Sequence, residues 1–558
     1  MRKAKDTVIW CADCETNPFD GESEIKPFIW GITNGDDYYE FTDTNEFLDF
    51  AVQQDGIIYA HNGGKFDWFF ILHRLEQFTP VMVINGRLAK FTIGAAEFRD
   101  SYNILPVPLS AYQKDEIDYA IFTEEERHKP ENWAAIREYL KSDCFYLHEF
   151  VTRFVSDYGL NLTVASTALK QWSKISGMKT PETTKEFYNT FSKYYYGGRV
   201  EPFKTGCGDL NFKVIDINSA YPFAMMSYHP WGDSYDQRLD LPNTDSAISR
   251  CFISLRCRSR GAFPYRSKNG LGFPNDNQIR EFYVTGWEYL AARDTDSLHG
   301  CEILSVTQFK ESIEFSDYVN HFYKLKEESK GVDEAAYQFA KLFMNSLYGK
   351  WAANPEEYSE YEIVPQSFIA AAMYCKGCHA PNMYECDCGN YNGMNFNCNL
   401  GDHFALMEKP LSESKQRYYN VATAASITGF VRAYLWRALC KCDKVLYCDT
   451  DSIAAVGFDG IDLDPLRLGA WDIEAECNYY AIGGKKMYAF RKKPDTFDPK
   501  KEKEWKIASK GVRLTPDELI QVAKGETVKY SPLAPSFSIS NGVDYHPRKV
   551  KKLVVIDE

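Results

Sequence analysis

Residues 447–452 read Tyr-Cys-Asp-Thr-Asp-Ser, and this stretch carries most of the information in the chain. It lies between two apolar runs, 445–446 and 453–455, a pattern typical of a β-hairpin with acids at its tip. Because residues i and i+2 of a strand point to the same face, Asp449 and Asp451 are predicted to share one cation site, as two-metal phosphoryl transfer requires. A solvated acidic turn is the alternative for this segment taken alone.

Two further segments favour the catalytic interpretation. Residues 213–222 form a β-type run that carries Asp216 and then a turn-forming proline. Residues 334–351 are predicted to form an amphipathic helix with Lys341, Asn345 and Tyr348 on one face, which offers a cation, an amide and an aromatic ring together. A preceding helix, 316–330, carries Lys326, and folded back as a hairpin the two lysines could reach one triphosphate. An ordinary surface helix is the alternative for any single lysine.

A second set of acids occupies the amino-terminal part of the chain. Asp13 and Glu15 alternate on the first predicted strand, and Asp67 begins an aromatic-rich helix. Tyr139 and Asp143 are four residues apart on one helical face. Four carboxylates suffice for two divalent ions, with Tyr139 placed to orient a water molecule. This set predicts 3′→5′ exonuclease chemistry.

Sixteen cysteines in a chain without a signal-peptide pattern are expected to be thiols or metal ligands rather than disulfides. Cys375, Cys378, Cys386 and Cys388 lie in a long Gly- and Asn-rich stretch that needs something to hold it. Four thiolates around a structural zinc ion would do so. An insertion with buried reduced cysteines is the alternative, because the C-x-C half is tighter than the usual spacing.

Composition limits the class of protein. A chain of 558 residues suggests three to five structural units, and 44% apolar content is ample for their cores. We expect a soluble cytoplasmic protein, in the host cytoplasm if the chain is viral, with no membrane segment. The net charge of −14 speaks against nucleic acid as a partner, but basic residues cluster late in the chain and predict a basic groove on an acidic body.

Three motifs give the chain a family resemblance. The segments Asp216-x2-Ser-Ala-Tyr221-Pro, Lys341-x3-Asn345-Ser-x-Tyr348-Gly and Tyr447-x-Asp449-Thr-Asp451-Ser resemble motifs A, B and C of the family B DNA polymerases. The chain resembles more narrowly the protein-primed branch of tectivirus-type phages. This resemblance implies an α+β multidomain fold, with a ribonuclease-H-like 3′→5′ exonuclease domain and a polymerase domain of palm, fingers and thumb.

The resemblance also implies roles for the residues of the polymerase site. Asp216 and Asp451 are expected to bridge two Mg²⁺ ions, or Mn²⁺ as an alternative, with assistance from Asp449. Tyr221 would exclude a ribose 2′-hydroxyl. The other expected contacts to the deoxynucleoside triphosphate (dNTP) are Lys326, Lys341, Asn345 and Tyr348.

DNA contacts are likewise carried over from the family. The single-stranded primer end in the nuclease would be held by His61, Asn62, Phe66, Ser101, Tyr102 and Lys114. Tyr195, Gly197 and Gly198 resemble a linker motif that touches template, although a simple interdomain turn is the alternative. The remaining contacts expected along template or primer are Thr428, Arg432, Lys486 and Tyr488.

The family pattern predicts seven units and their partners. The units are an exonuclease domain (1–160), linker and start of palm (161–222), an insertion that docks a terminal protein (223–315), fingers (316–354), a Cys-rich insertion (355–415), palm (416–508) and thumb (509–558). The expected partners are template and primer DNA, dNTPs and a terminal protein whose hydroxyl primes synthesis. The protein itself is expected to be a monomer or a 1:1 heterodimer with the terminal protein. A nucleic-acid-primed repair polymerase is the main alternative, and a binding module without catalysis is a weaker one.

Overall fold

A computed structural model describes most of the chain. The described residues are 7–18, 25–75, 79–109, 115–382, 384–388, 391–400, 403–499 and 502–530, followed by the backbone of three short strands, Ser536–Ser538, Gly542–Asp544 and Arg548–Val550. Lys114 lies outside the described residues, and so do Lys500, Lys501 and most of the basic carboxyl-terminal tail.

The amino-terminal part of the chain builds a ten-stranded mixed sheet. Val8–Thr16 pairs in parallel with Gly56–Ala60, which pairs in parallel with Ala96–Asp100, so their carboxyl ends meet at one edge. The long helix Pro130–Tyr158 packs its apolar side against Val8–Thr16 and Pro27–Thr33. In spatial order the strands are Asn395–Leu400, Phe404–Pro410, Ser359–Pro365, Thr79–Ile84, Arg87–Ile93, Ala96–Asp100, Gly56–Ala60, Val8–Thr16, Pro27–Thr33 and Tyr38–Phe41.

Three of these ten strands come from the Cys-rich region between residues 355 and 415. Ser359–Pro365 pairs antiparallel with Thr79–Ile84, with Tyr361 opposite Val81. Ile363 and Leu406 join the same apolar core as Leu88 and Phe91. This region is therefore part of the amino-terminal sheet.

The segments that carry Asp216, Asp449 and Asp451 belong to a second, antiparallel sheet of seven strands and its turns. Its central strand, Gly206–Ile217, carries Asp216 and pairs on one side with Ser452–Val456 and on the other with Trp471–Gly484. In spatial order the strands are Trp505–Ser509, Met487–Lys492, Trp471–Gly484, Gly206–Ile217, Ser452–Val456, Lys444–Asp449 and Val200–Pro202.

Helices and a smaller sheet surround this second sheet. The predicted helix is present as Glu334–Trp351 and packs against Ser316–Ser329, where the Tyr318 hydroxyl donates to the Phe343 carbonyl at 3.0 Å. Residues 223–315 contribute a four-stranded sheet in the order His229–Arg238, His299–Ile313, Cys251–Arg258 and Arg280–Thr285. The other α-helices of five or more residues in the described ranges are Thr44–Ala51, Val164–Ser176, Lys185–Phe191, Ala220–Met225, Gly286–Asp294, Ile369–Met373, Val421–Leu439 and Pro516–Ala523, and the helix predicted to begin at Asp67 is present as the 3₁₀ helix Asp67–Arg74.

The helices of the described ranges differ in length and in apolar character. None of them combines the length and the apolar character that a membrane-crossing helix requires.

Candidate functional site: two acidic centres and a cysteine cluster

Asp449 and Asp451 come together through a tight turn. The strand Lys444–Asp449 ends at Asp449 and the next begins at Ser452, so Thr450 and Asp451 form the turn itself. The Asp451 N–H donates to the Asp449 carbonyl at 2.6 Å, and Thr450 has a left-handed φ of 61°. The predicted hairpin is confirmed, but the alternation argument is wrong, because the two acids do not lie on one strand. Left-handed backbone at a β-branched residue is strained, as is common at functional sites.

Asp216 lies beside this turn. It is opposite Ser452 in the sheet register, and the Ile217 N–H donates to the Asp451 carbonyl at 2.9 Å. Burial, followed by repulsion from Asp451, raises the pKa of Asp216 to about 8. Burial, followed by repulsion from Asp449, raises the pKa of Asp451 to about 6. Repulsion between Asp216 and Asp451 and between Asp451 and Asp449 is of the kind that a hard divalent cation relieves, although one oxygen from each of the three acids cannot be chosen so that all three lie within 4.8 Å of one another.

Charged neighbours of this centre include the predicted residue Lys486 and two acids that sequence reasoning missed, Asp472 and Glu474. Lys486, which was predicted as a DNA contact, places its ammonium 2.5 Å from Asp449 Oδ1. On the strand beside Asp216, Asp472 is opposite Asp216 and Glu474 pairs with Lys506. The alternating acids at 472, 474 and 476 are the sequence signal that could have located this strand.

The predicted nucleotide-binding residues lie on two neighbouring helices and on the short helix Ala220–Met225, which follows the strand of Asp216. Lys341 and Asn345 are exposed on one side of Glu334–Trp351, and the Asn345 amide donates to the Lys341 carbonyl at 2.9 Å. The rings of Tyr221 and Tyr348 stack with centroids 4.2 Å apart and an interplanar angle of 8°. Lys326 is largely buried and lies 3.6 Å from Glu327. The helices that carry Lys326 and Lys341 pack together, as the hairpin prediction requires.

The Tyr195–Gly198 linker packs directly on the turn that carries Asp451. A Cβ atom at Gly198 would lie 2.6 Å from Thr450 Cγ2, so this close approach requires glycine. The Thr450 N–H donates to the Arg199 carbonyl at 2.6 Å. Arg199 itself is buried and donates to the Gly261 carbonyl at 2.8 Å. The linker therefore positions the turn that carries Asp451.

Three residues predicted to contact DNA are buried. Arg432 forms a buried ion pair with Glu288 at 2.8 Å, with both side chains 2% exposed, and donates to the Tyr196 carbonyl at 2.5 Å. Thr428 is also 2% exposed and donates to the Ala425 carbonyl of its own helix. Tyr488 is buried with its ring stacked on Phe490. The structure does not support direct DNA contact by these side chains, and Arg432 instead holds the linker.

The amino-terminal acids gather at one end of the ten-stranded sheet. Asp13 and Glu15 flank Cys14, whose thiol donates to Asp67 Oδ1 at 3.3 Å. Burial raises the pKa of Asp67 to about 7. Asp143 and Tyr139 share the buried side of the helix Pro130–Tyr158. The Tyr139 hydroxyl lies 3.1 Å from the Tyr119 hydroxyl, and burial, followed by that hydrogen bond and the charge of Asp143, raises the pKa of Tyr139.

Residues around these acids form a polar wall that is organised by an arginine. His61 bonds through its two ring nitrogens to the buried Ser101 hydroxyl at 3.1 Å and to the Val107 carbonyl at 3.0 Å. Arg87 donates to Asn62 Oδ1 at 2.8 Å, and its guanidinium lies 4.1 Å from the centre of the Tyr102 ring. Phe66 is half-buried with its ring edge-on to Phe70. Sequence reasoning missed Arg87, because an isolated arginine on a strand carries no local signal.

The four predicted cysteines meet in a cluster. Their sulfur atoms all lie within 4.8 Å of one another, and this is the only such Cys, His or carboxylate group of three or more in the described part of the chain. Backbone N–H groups of Cys378, Gly377 and Asn392 lower the pKa of Cys375 to about 6. Cys398 is not a member and packs in the apolar core of the ten-stranded sheet.

Comparisons with known proteins agree on one family. The family model for DNA polymerase type B, organellar and viral, matches residues 107–377. The DNA-directed DNA polymerase of Enterobacteria phage PRD1 is 33% identical, with 99% of each chain covered. The DNA polymerase of Bacillus phage phi29 is 24% identical over 81% of each chain. A crystal structure of phi29 DNA polymerase superposes with a TM-score of 0.73 at 20% identity, covering 99% of this chain and 100% of the other.

Proposed function

Since the chain belongs to the type B DNA polymerases of the organellar and viral group, we propose that its two acidic centres are a nucleotidyl-transfer site and a proofreading 3′→5′ exonuclease site. The chain is a DNA-directed DNA polymerase, and its α+β fold matches that of phi29 DNA polymerase over its whole length. One observation carries the assignment of two sites: the carboxylates form two sets that share no residue, one beside the ten-stranded sheet and one beside the seven-stranded sheet.

Residues of the seven-stranded sheet suit templated nucleotidyl transfer. Asp216 and Asp451 would hold Mg²⁺, with Asp449 assisting, because carboxylate oxygens are hard ligands. A bound cation would also relieve the repulsion between these acids. When bound, Mg²⁺ supplies charge neutralisation on the phosphates and activation of the primer hydroxyl. Lys326 and Lys341 stabilise negative charge on the pyrophosphate leaving group. The ring pair Tyr221 and Tyr348 supports the sugar of the incoming nucleotide and closes the space beside its 2′ carbon.

The substrates follow from the same site. A phi29 polymerase of this fold is described in complex with primer-template DNA and incoming nucleotides. We infer the same ligands here: template, primer and dNTP at the hairpin that carries Asp449 and Asp451.

The amino-terminal acids suit hydrolysis of a primer end. Asp13, Glu15, Asp67 and Asp143 would hold divalent cations, and Tyr139 would orient the attacking water. A proton on Asp67, with its pKa of about 7, must leave before this acid binds a cation. His61, Asn62 and Tyr102 then form the wall along which a frayed single strand lies, with stacking on Tyr102 worth ~1–3 kcal/mol.

A terminal protein is the proposed primer, and residues 223–315 are its proposed docking unit. This unit contacts the catalytic region at several points: Lys485 donates to the Leu271 carbonyl at 2.8 Å, and Arg266 donates to the Tyr195 carbonyl at 3.1 Å. A partner docked on the hairpin formed by Tyr265–Ser267 and Gly270–Gly272 would therefore lie beside the linker and the Lys486 turn. That position would bring a priming hydroxyl to Asp216 and Asp451.

The test is formation of a covalent protein–nucleotide adduct. Purified enzyme is incubated with candidate terminal protein, labelled dNTP and Mg²⁺, and the labelled adduct is separated under denaturing conditions. We expect an adduct with wild type and none with Asp451→Asn. Arg266→Ala should weaken adduct formation while sparing extension of a DNA primer. Extension of DNA primers with no adduct for any candidate protein would favour a nucleic-acid-primed polymerase instead.

A further inference from the structure

The four sulfurs of the cysteine cluster have the spacing of metal ligands. Cys375 and Cys388 are 3.5 Å apart, as are Cys378 and Cys386, while Cys386 lies 3.2 Å from Cys388 and 3.7 Å from Cys375. Thiolates in a tetrahedral site, with Zn–S bonds of ~2.3 Å, lie about 3.8 Å from one another. A disulfide would need ~2.05 Å. We propose that these four cysteines bind one structural zinc ion.

The local backbone aims the first two sulfurs at the cluster. The Cys375 N–H donates to the Ala380 carbonyl at 2.8 Å, and the His379 N–H donates to the Cys375 carbonyl at 2.9 Å. His379 takes a left-handed φ of 57°, which closes the turn. A Cβ atom at Gly377 would lie 3.3 Å from Cys388 Sγ. The C-x2-C segment is thus a tight turn that receives the C-x-C segment against its glycine.

The segment 374–394, which carries the cluster, has no regular secondary structure among its described residues. Hydrogen bonds hold mainly its two ends: the Tyr391 hydroxyl donates to the Met373 carbonyl at 2.7 Å, the Met394 N–H donates to the Ala372 carbonyl at 2.9 Å, and the exposed Lys376 lies 3.3 Å from Glu362. A long loop without secondary structure needs a staple. The zinc ion would cross-link the segment between the helix Ile369–Met373 and the strand Asn395–Leu400, which is an edge strand of the ten-stranded sheet.

Four protein ligands define the kind of site. A zinc ion with four thiolates has no open position for water or substrate, so the site is structural and not catalytic. Binding forms four Zn–S bonds and releases the proton of each ligand that is still a thiol, without any change of oxidation state.

The test is metal content of the full chain purified without chelator. We expect about one zinc per chain in wild type and almost none in Cys386→Ser/Cys388→Ser. The matched control is Cys440→Ser/Cys442→Ser, which changes another accessible C-x-C pair that lies outside the cluster and should keep its zinc. Chelator treatment of wild type should increase proteolytic cleavage within residues 374–394.

A second measurement does not depend on the variants folding. Metal-depleted wild type is titrated with Co²⁺, and a tetrahedral thiolate site should give intense visible bands and sulfur-to-cobalt charge-transfer bands. Wild type that lacks zinc and gives no such bands would overturn the proposal. A Cys386→Ser/Cys388→Ser protein that keeps wild-type zinc would overturn it equally.

Discussion

The Lys486 ammonium lies 2.5 Å from Asp449 Oδ1 and joins the turns of two hairpins that lie on either side of the strand Gly206–Ile217. This ion pair engages one of the three acids of the proposed polymerase site with an internal partner. Asp216 and Asp451, whose pKa values are both raised, are then the acids that gain most from a bound cation. The structure thus gives a physical reason for the expectation that Asp449 only assists.

Asp451→Asn should abolish polymerisation. The substitution keeps side-chain volume but removes a charged metal ligand, so we expect extension and terminal-protein nucleotidylation to fall together by at least ~100-fold, or about 2.7 kcal/mol of transition-state stabilisation. Exonuclease activity on single strands should persist. Asp459→Asn, an exposed acid in the loop after the hairpin, is the matched control and should extend primers normally. Near-normal extension by Asp451→Asn in Mg²⁺ would contradict the assignment of the site.

Asp13→Ala combined with Glu15→Ala should remove degradation of single strands and spare extension. The two acids belong to the ten-stranded sheet, whereas Asp216 lies on a strand of the seven-stranded sheet. We expect nuclease activity to fall by ~100-fold or more in a gel assay on a labelled oligonucleotide. Asp36→Ala/Asp37→Ala, in an exposed turn of the same sheet, is the control. A parallel loss of extension would show that the two centres do not act separately.

Tyr221→Val should relax the choice of sugar. The Tyr221 ring is held by its stack on Tyr348 and fills space beside the incoming sugar in the proposed complex. We expect incorporation of ribonucleotides, relative to dNTPs, to rise at least about tenfold, or ~1.4 kcal/mol in discrimination. Tyr221→Phe keeps the ring and should keep the selectivity. Unchanged discrimination in Tyr221→Val, with normal dNTP incorporation, would reject the steric role.

Arg432→Met should destabilise the fold much more than Arg437→Met on the same helix. Removing Arg432 leaves Glu288 buried without its ion pair, which costs about 3–5 kcal/mol. Arg437 pairs with Asp294 at the surface, where such pairs contribute ~0–1 kcal/mol. Denaturant unfolding of the two variants measures the difference. Equal, small losses of unfolding free energy would show that the buried pair does not anchor the linker.

Stability of the metal-free protein should fall as pH rises, in part because of Asp216. Its pKa is about 8 in the folded protein against 3.8 ordinarily, so between these values the unfolded chain releases a proton that the folded chain retains. The stability that this group contributes is present below about pH 4 and is lost as pH rises toward 8. Asp216→Asn should therefore gain unfolding free energy relative to wild type from about pH 5 to about pH 8 in EDTA. A difference that is independent of pH would contradict the raised pKa.

Local patterns predicted much of the polymerase site but not its long-range contacts. The hairpin acids and the helix from Glu334 to Trp351 follow from hydrophobic periodicity, which is a property of neighbouring residues. The partner of Arg432 is Glu288, 144 positions away, and nothing near either residue signals that they meet. An arginine on a helix is ordinarily expected at the surface. Its burial was therefore missed, and with it the role in holding the linker.

The same limit applies to the turn that carries Asp451. The spacing of Asp449 and Asp451 is compatible with one continuous strand or with a two-residue turn, and only the pairing of Asp449 with Ser452 distinguishes them. The left-handed Thr450 is stabilised by the Arg199 carbonyl and by the close approach of Gly198, both about 250 positions earlier in the chain. Tertiary contacts therefore decide the geometry that local propensity leaves open.

Pairing of Ser359–Pro365 with Thr79–Ile84 ties the proposed proofreading module to a distant part of the chain. A fragment ending near residue 160 would leave the Thr79–Ile84 strand as a bare edge, with unpaired backbone groups that promote aggregation. The two activities therefore cannot be exchanged between relatives by a single crossover. A chimera should take residues 1–160 and the Cys-rich region from the same relative. We therefore expect these two distant stretches to change together in evolution.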